Sequence, residues 1–212
     1  MRSYLSIAIL MIVAALTYGC SDPSANKQKA TVANAQQESN TPKTSGNETL
    51  AITPENSKVE FVASKVTRSH NGSFKQFSGQ IDLSAANVSD SRVTIDIETS
   101  SVVADDDQLT GHLKTPDFFD VAKFPKATFV STKIEAGAAA DTYNVTGNFD
   151  LHGVKKSISF PATIKLTPDK ATVDAEFSIN RKDFGIVYTG KADDLIRDGV
   201  VIKLSLNVPR RR

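Results

Sequence analysis

The sequence predicts an all-β domain, an antiparallel barrel of about eight strands with a short helix capping one end. Two observations and one physical argument predict it. Apolar and polar residues alternate with a period of two in successive segments, which is typical of strands with one buried and one exposed face. Most gaps between these segments are short, which favours a meander of sequential neighbours. Closure into a barrel would remove the exposed edges of the sheet.

The first twenty residues are typical of an export signal. Arg2 precedes an apolar segment, Leu5–Leu16, that is too short to be a dedicated membrane span. Cys20, the single cysteine of the chain, follows directly after a glycine. This pattern resembles a bacterial lipobox, which implies cleavage before Cys20 and lipidation of its thiol; the alternative is an ordinary secreted protein cut nearby. With Ser21 next, the resemblance implies an outer-membrane lipoprotein that faces the periplasm of the cell envelope.

Residues 21–48 are predicted to be a disordered tether. They contain few large apolar residues and are rich in Ser, Thr, Asn, Gln, Ala and Lys, so they bury too little side-chain surface to offset ordering. As a flexible coil this tether would reach about 30 Å. Residues 49–209 then form one domain of ordinary size, and residues 210–212 form a basic tail.

The charge balance gives no reason to expect nucleic acid as a partner. The chain has 25 Lys and Arg against 24 Asp and Glu, and removal of the signal takes Arg2 away, which leaves 24 of each. A nucleic-acid-binding domain usually carries a clear excess of basic residues. The partners that we expect are an amphiphilic lipid and, through the lipidated N-terminus, the membrane.

Within the domain the strands follow one another in chain order. Alternation is clearest in five segments and less regular at 57–67 and 73–84; the five are 93–98, 143–151, 158–166, 172–179 and 200–208. In the first and last of the five, the apolar set is predicted to point into the barrel. That set is Val93, Ile95, Ile97, Ile202, Leu204 and Leu206.

The long exception to this pattern is Ala104–Pro125. Its three consecutive aspartates, 105–107, predict the start of a short helix over Gln108–Lys114, because carboxylates accept hydrogen bonds at a helix N-terminus. Prolines 116 and 125 then exclude a long helix and predict a rigid connector that enters a strand at Ala127–Ile134. The adjacent rings of Phe118 and Phe119 cannot point the same way. We expect one to plug the barrel end and the other to pack under the helix.

No motif of catalysis or metal binding is evident. The histidines at 70, 112 and 152 are far apart, and no nucleophile is paired with a base, so we expect neither an enzyme nor a metal site. The most concentrated polar motif is Asn180–Gly185. Its Arg181 could clamp an anionic head group or form a strand-end salt bridge with Asp183 or another acid. The candidates for contact with a head group are His112, Asn180 and Arg181.

Several motifs together carry a resemblance to a known family. In chain order they are Ser57–Phe61, Gly72–Gly79, Gly111–Asp120, Lys123–Phe129, Leu151–Val154 and Ile179–Gly185. The chain resembles the YceI-like family of exported lipid- or polyisoprenoid-binding proteins. The resemblance implies a lipocalin-like barrel with a long apolar pore that holds an isoprenoid chain or a similar amphiphile without catalysis. Many members carry a histidine near the position of Lys65, so the role of that histidine cannot be carried over.

The expected function is therefore that of an exported, lipid-anchored binding protein. No cofactor is expected, and the bound lipid would be a polyisoprenoid, a quinone or a fatty acyl lipid. The alternatives are an envelope enzyme or electron-transfer accessory acting on a bound quinone or polyprenyl lipid, and a structural envelope protein with a filled barrel. The residues predicted to line the interior are Phe61, Phe77, Ile81, Ile95, Ile97, Phe118, Phe119, Phe129, Phe149, Phe160, Ile164, Phe177, Ile202 and Leu204.

Overall fold

The computed structural model describes residues 22–38, 48–84 and 87–210, and it confirms the all-β prediction. The predicted signal, with Cys20, lies outside the described residues. The described strands are β1 (Thr31–Asn34), β2 (Glu48–Ile52), β3 (Ser57–Ser64), β4 (Ser69–Phe74), β5 (Phe77–Leu83), β6 (Arg92–Glu98), β7 (Val102–Ala104), β8 (Lys126–Ala136), β9 (Thr142–Leu151), β10 (Val154–Leu166), β11 (Lys170–Asn180), β12 (Gly190–Lys191), β13 (Asp194–Leu195) and β14 (Gly199–Pro209). The described α-helix is α1 (Asp107–Leu113), and 3₁₀ turns span Val88–Asp90, Thr99–Ser101 and Arg181–Phe184.

One curled antiparallel sheet contains twelve of these strands. Its order is β2-β5-β6-β8-β9-β10-β11-β14-β3-β4-β7, with β1 added against β10, while β12 and β13 form a separate hairpin. The strands from β8 to β11 are sequential neighbours, as the short gaps predict. Six of the fourteen described strands account for the excess over eight. β1, β2, β7, β12 and β13 have only two to five residues, too few to show a periodic pattern, and the six residues of β4 are mostly polar.

The period-two alternation follows from the register of the long strands. β11 and β14 pair over their whole length, from Lys170 opposite Pro209 to Asn180 opposite Gly199, which places Phe177 opposite Ile202. Both side chains belong to, or pack against, the hydrophobic core. Of the six side chains predicted to point inward, Ile95, Ile97 and Leu206 are buried, and the other three are half-buried against the core.

The first described strand, β1, fills a gap in the barrel wall. β10 and β11 pair with each other only between residues 163–166 and 171–174. Where they diverge, β1 pairs antiparallel with β10, from Thr31 opposite Ser159 to Asn34 opposite Lys156. Just before β1, Ala30 N donates to Ser178 O of β11 at 2.8 Å and Ser178 N donates to Gln28 O at 2.9 Å. Residues 28–34 therefore lie between two strands that would otherwise expose their edges.

The prediction of a disordered tether is consequently wrong for residues 22–38. The composition of this segment is poor in large side chains, but it is held by backbone hydrogen bonds, which any residue except proline can supply. Only small side chains are needed at the contact: Ala30 is 3% exposed and belongs to the core.

A buried asparagine fixes the end of the same segment. Asn148, on the outer face of β9, accepts from Gln36 N and donates to Gln36 O, both at 2.8 Å, and donates to Glu38 Oε1 at 3.0 Å. Lys155 Nζ lies 2.7 Å from the same Glu38 oxygen. The hydrogen bond from Lys155, and then that from Asn148, holds the pKa of Glu38 below its ordinary value.

The predicted capping helix is present. Asp106 is its N-cap, and its side chain accepts from Leu109 N at 2.9 Å. After α1 the chain runs through turns to Pro125 and enters β8 at Lys126, which confirms that no long helix spans the connector and that a strand follows it. No described helix is long and apolar enough to cross a membrane.

Candidate functional site

The barrel interior contains an apolar cavity with two lobes. The upper lobe, next to α1, has a volume of about 100 Å³, and the lower lobe about 70 Å³. Both lobes are lined by the same five side chains at their junction, namely Phe61, Phe74, Ile97, Phe149 and Ile202. Each lobe is smaller than the sites of about 300–1,000 Å³ that hold drug-sized molecules, and the two lobes follow one another across the junction, so the cavity suits a hydrocarbon chain that extends through both.

Eleven of the fourteen predicted interior residues line one lobe or both. Phe118 and Phe119 lie in the upper lobe, and the lower lobe holds Ile95, Phe129, Phe160, Phe177 and Leu204. The other three, Phe77, Ile81 and Ile164, line neither lobe and are buried in the surrounding core. Alternation assigns a side chain to the inner face, but it does not show how much free space remains opposite that side chain.

Other lining residues were not predicted. Alternation could have found three of them, Ala63, Ile179 and Val200. Each lies two residues from a predicted interior residue on the same strand and therefore on the same face of the sheet. Ile186 and Ile196 also line the upper lobe. They lie in the irregular stretch between β11 and β14, where no periodicity marks them.

The two adjacent phenylalanines of the connector diverge, as expected. Phe119 packs in the interior, with its ring centre 5.5 Å from that of Phe74 and 6.5 Å from that of Phe61. Phe118 contacts His112 of α1 at 4.9 Å and Tyr188 at 5.6 Å. Phe118 thus lies beneath the helix at the end of the cavity and is buried, while Phe119 lines the upper lobe and is half-buried.

A polar cavity of about 420 Å³, here called the vestibule, adjoins the upper lobe. Its lining combines cationic, acidic and ring-bearing side chains, including Lys65, Arg68, His70, Asp106, His112, Tyr188, Lys191 and Asp194. Phe118 and Ile196 line the vestibule and the upper lobe alike, so they separate the two spaces. A polar compartment therefore leads into an apolar one across a partition of two side chains.

One ion pair and one hydrogen bond to a carboxylate order the charged side of the vestibule. Lys65 Nζ lies 2.9 Å from Asp194 Oδ2, and the hydrogen bond from Lys65, followed by that from Thr67, lowers the pKa of Asp194. His70 Nδ1 lies 2.7 Å from Asp105 Oδ1. The backbone N–H of Asn71, which donates to the other oxygen of Asp105, is the main reason why the pKa of Asp105 is lowered.

Arg181 is occupied by the protein itself. It is 4% exposed and donates to Ile186 O at 2.7 Å, Arg197 O at 3.1 Å, Ile196 O at 3.4 Å and Asp198 Oδ1 at 3.3 Å. Burial lowers the pKa of Arg181, and the charge of Asp198 opposes that shift. Of the two roles predicted for Arg181, the structure shows the salt bridge, and its acidic partner is Asp198, not Asp183. Its guanidinium holds the loop that carries Ile186 and Ile196 against the cavity.

The other two head-group candidates differ in position. The side chain of Asn180 accepts from Lys182 N at 2.9 Å and caps the 3₁₀ turn that follows β11. His112 lines the vestibule, and its Nε2 lies 2.8 Å from Asp117 Oδ2. Of the three candidates, His112 is thus the one placed beside a space that a head group could occupy. Across the described residues, no group of three or more His, Cys, Asp or Glu side chains is arranged to hold a metal ion.

The family model described as "YceI-like domain" matches residues 50–208. The chain is similar to a UPF0312 protein of Pseudomonas putida strain W619, with 34% identity over 126 residues, 57% of this chain and 65% of that protein. It is also similar to Protein YceI of Salmonella newport strain SL254, with 36% identity over 121 residues, 54% of this chain and 62% of that protein. The chain thus spans slightly less than two thirds of the length of these relatives.

Solved structures share the fold. The crystal structure of Burkholderia cenocepacia BcnA aligns with a TM-score of 0.66 and 28% identity, covering 74% of this chain and 98% of that one. A polyisoprenoid binding domain from Saccharophagus degradans, implicated in plant cell wall breakdown, aligns with a TM-score of 0.62 and 20% identity, covering 78% and 99%. The curled antiparallel sheet is therefore shared by both proteins.

Proposed function

The chain belongs to the YceI-like family, and from this premise we propose that it binds an amphiphilic lipid. An isoprenoid-type or other lipid chain would occupy the two lobes, and its polar head would lie in the vestibule. The observation that supports this most directly is the contact of an apolar lobe with a polar vestibule across Phe118 and Ile196. The structural neighbour described as a polyisoprenoid binding domain supports the same class of ligand.

The cavity suits a hydrocarbon chain energetically as well as in shape. The junction of the lobes consists of Phe61, Phe74, Ile97, Phe149 and Ile202, none of which carries a charge. Burial contributes about 0.8 kcal/mol for each methylene removed from water, so ten buried methylenes would contribute about 8 kcal/mol. Part of this is offset by the lost freedom of the ligand. Strong binding then needs no charged clamp inside the barrel.

The proposed role is binding without catalysis. The buried guanidinium of Arg181 already donates to three backbone carbonyls and to Asp198, and the imidazole of His112 lies against Asp117. Neither arrangement presents an activated nucleophile to the cavity. The groups around the vestibule instead fit the recognition of a polar head.

The proposal also includes export and anchoring. Cys20 would be the lipidated first residue of the mature chain, and the protein would be held in the outer membrane on its periplasmic side. The support is the pattern of Arg2, the apolar stretch at Leu5–Leu16 and the single cysteine after it.

A substitution that fills the upper lobe tests the binding role. Ala63→Leu adds three carbons at a lining position, whereas Ala51→Leu makes the same change at an exposed position on β2 and is the matched control. When the ligand fills the lobe, overpacking by this much would cost about 1–3 kcal/mol, so uptake of a fluorescent fatty acid should weaken about tenfold or more for Ala63→Leu alone.

Native mass spectrometry of the gently extracted full-length protein provides the second readout. We expect a copurifying amphiphile in the parent and in Ala51→Leu, and much less in Ala63→Leu. A parent that carries no amphiphile and takes up no fluorescent fatty acid would contradict the proposal and favour a filled barrel.

A further inference from the structure

Exposed apolar side chains are concentrated around the vestibule. Four large hydrophobic side chains are exposed among the described residues: Val66 (43%), Leu166 (37%), Val187 (61%) and Leu195 (47%). Three of them adjoin vestibule-lining residues in sequence, because Val66 follows Lys65, Val187 precedes Tyr188 and Leu195 precedes Ile196. We call Val66, Val187 and Leu195 the rim. Val66 N donates to Leu195 O at 3.0 Å, so these two lie side by side.

The N-terminal segment begins at the same end of the barrel. Asp22 Oδ2 lies 3.8 Å from a guanidinium nitrogen of Arg197, the residue after Ile196. Ser24 lies so close to Gly199 that a Cβ there would collide with it. Cys20 precedes Asp22 by two residues, which can span at most about 7 Å. A lipid on Cys20 would therefore enter a bilayer close to the rim, because the anchor has no long tether at this point.

The charges around the rim are largely paired. Lys65 is bound to Asp194, and Arg68 lies 3.9 Å from Asp106. Lys191 lies near the same Asp194 and contributes, after the hydrogen bonds from Lys65 and Thr67, to the lowered pKa of that carboxyl. With no large excess of either sign, contact with a membrane would depend on apolar insertion more than on attraction to anionic lipids.

We propose that the rim docks onto a phospholipid bilayer and that the anchor at Cys20 holds the vestibule against the head-group region. Apolar residues of interfacial proteins enter about 5–10 Å into this region, a depth that exposed side chains on a short hairpin can reach. The inference rests on the proposed function and deepens it: the bilayer is the source or destination of the bound amphiphile. The lipid would pass through the vestibule and between Phe118 and Ile196, without crossing bulk water.

Tryptophan placed at single positions tests the docking in the full-length, anchored protein. The chain has no tryptophan of its own, so each substitution gives a unique signal. Val187→Trp and Leu195→Trp report on the rim. Leu166→Trp is the matched control. Leu166 is an exposed apolar residue at the last position of β10, and it lies opposite Ala171, at the other end of β11 from the Asn180–Gly199 pair beside the N-terminal segment. The protein is reconstituted in vesicles of phosphatidylethanolamine and phosphatidylglycerol with brominated acyl chains, which quench nearby tryptophan.

We expect bromine to remove more than half of the emission at both rim positions, with a shift to shorter wavelength, and to leave Leu166→Trp nearly unchanged. Because the rim charges are paired, this difference should persist at high salt. Equal quenching at all three positions, quenching at none, or quenching confined to Leu166→Trp would overturn the docking.

The amphiphile content of the same samples separates this inference from the proposed function. A barrel that retains its amphiphile while the rim is not quenched would refute docking and leave the binding role intact. A quenched rim on a barrel that takes up no amphiphile would support docking and refute the binding role. Thermal midpoints equal to that of the parent would show that each substituted chain is folded.

Discussion

Replacing Arg181 by Met should release the loop that closes the upper end of the cavity. The guanidinium is buried and joins three carbonyl oxygens, of Ile186, Ile196 and Arg197, to the carboxylate of Asp198. Methionine is shorter, but it replaces the apolar stem of the arginine and donates no hydrogen bond. The substitution therefore removes the guanidinium donors while keeping the apolar part of the side chain.

The expected loss of unfolding free energy is about 3–5 kcal/mol, because three carbonyl oxygens lose their donor and each unsatisfied buried group costs about 1–3 kcal/mol. Two of the four donor–acceptor distances are 3.3 and 3.4 Å, which argues against adding the full value of each bond. Lys182→Met is the matched control. Lys182 pairs with the same Asp198 at 3.0 Å, but its side chain is 42% exposed, so its loss should cost at most about 1 kcal/mol.

Urea denaturation followed by circular dichroism measures the difference. With a slope of about 2 kcal/mol/M, Arg181→Met should lower the midpoint by roughly 2 M, and Lys182→Met by well under half of that. Retention of the copurified lipid should fall in Arg181→Met, because Ile186 and Ile196 would lose their support. Midpoints that fall equally in the two variants would refute the structural role assigned to Arg181.

Three further predictions follow from contacts described above. Phe118→Ala should speed lipid exchange, because Phe118 separates the vestibule from the upper lobe. Phe119→Ala should mainly lower the free energy of unfolding, by about 3–5 kcal/mol. Equal exchange rates in both variants and the parent would show that the connector serves only as part of the packed core. The pKa of Glu38 is lower in the folded protein than in the unfolded chain, so ionised Glu38 stabilises the folded position of residues 22–38. This stabilisation is present above the unfolded pKa of about 4.3 and is lost as the pH falls through the lower pKa of the folded state. The NMR signal of the Ala30 amide should therefore shift in acid, and Glu38→Gln should remove that dependence. Cys20→Ser should move the protein from the membrane to the soluble fraction of fractionated cells; unchanged partitioning into detergent would contradict lipidation.

The long strands, the helix and the connector could be predicted because side-chain patterns encode them. Phe177 and Ile202 lie opposite each other since both occupy inward positions, and Asp106 caps α1 with the carboxylate that the sequence offers there. β1 could not be predicted in this way, because backbone pairing with β10 and Ser178 leaves no periodic side-chain pattern. The acid partner of Arg181, predicted as Asp183 or another acid, could not be identified for a different reason: Asp198 is 17 residues away along the chain and is brought close by the intervening hairpin.

The position of β1 has a consequence for how the protein can be shortened. The match to the family begins at residue 50, so a chain cut at that boundary would lack β1. The N–H and C=O of Ser178 and the facing edge of β10 would then be without their partners. An unpaired strand edge is a template for pairing with another chain, and it promotes aggregation and strand exchange. The N-terminal segment thus covers a strand edge that could otherwise pair with another copy of the chain. Poor solubility of the isolated family domain would reflect the loss of this cover and not an unstable barrel.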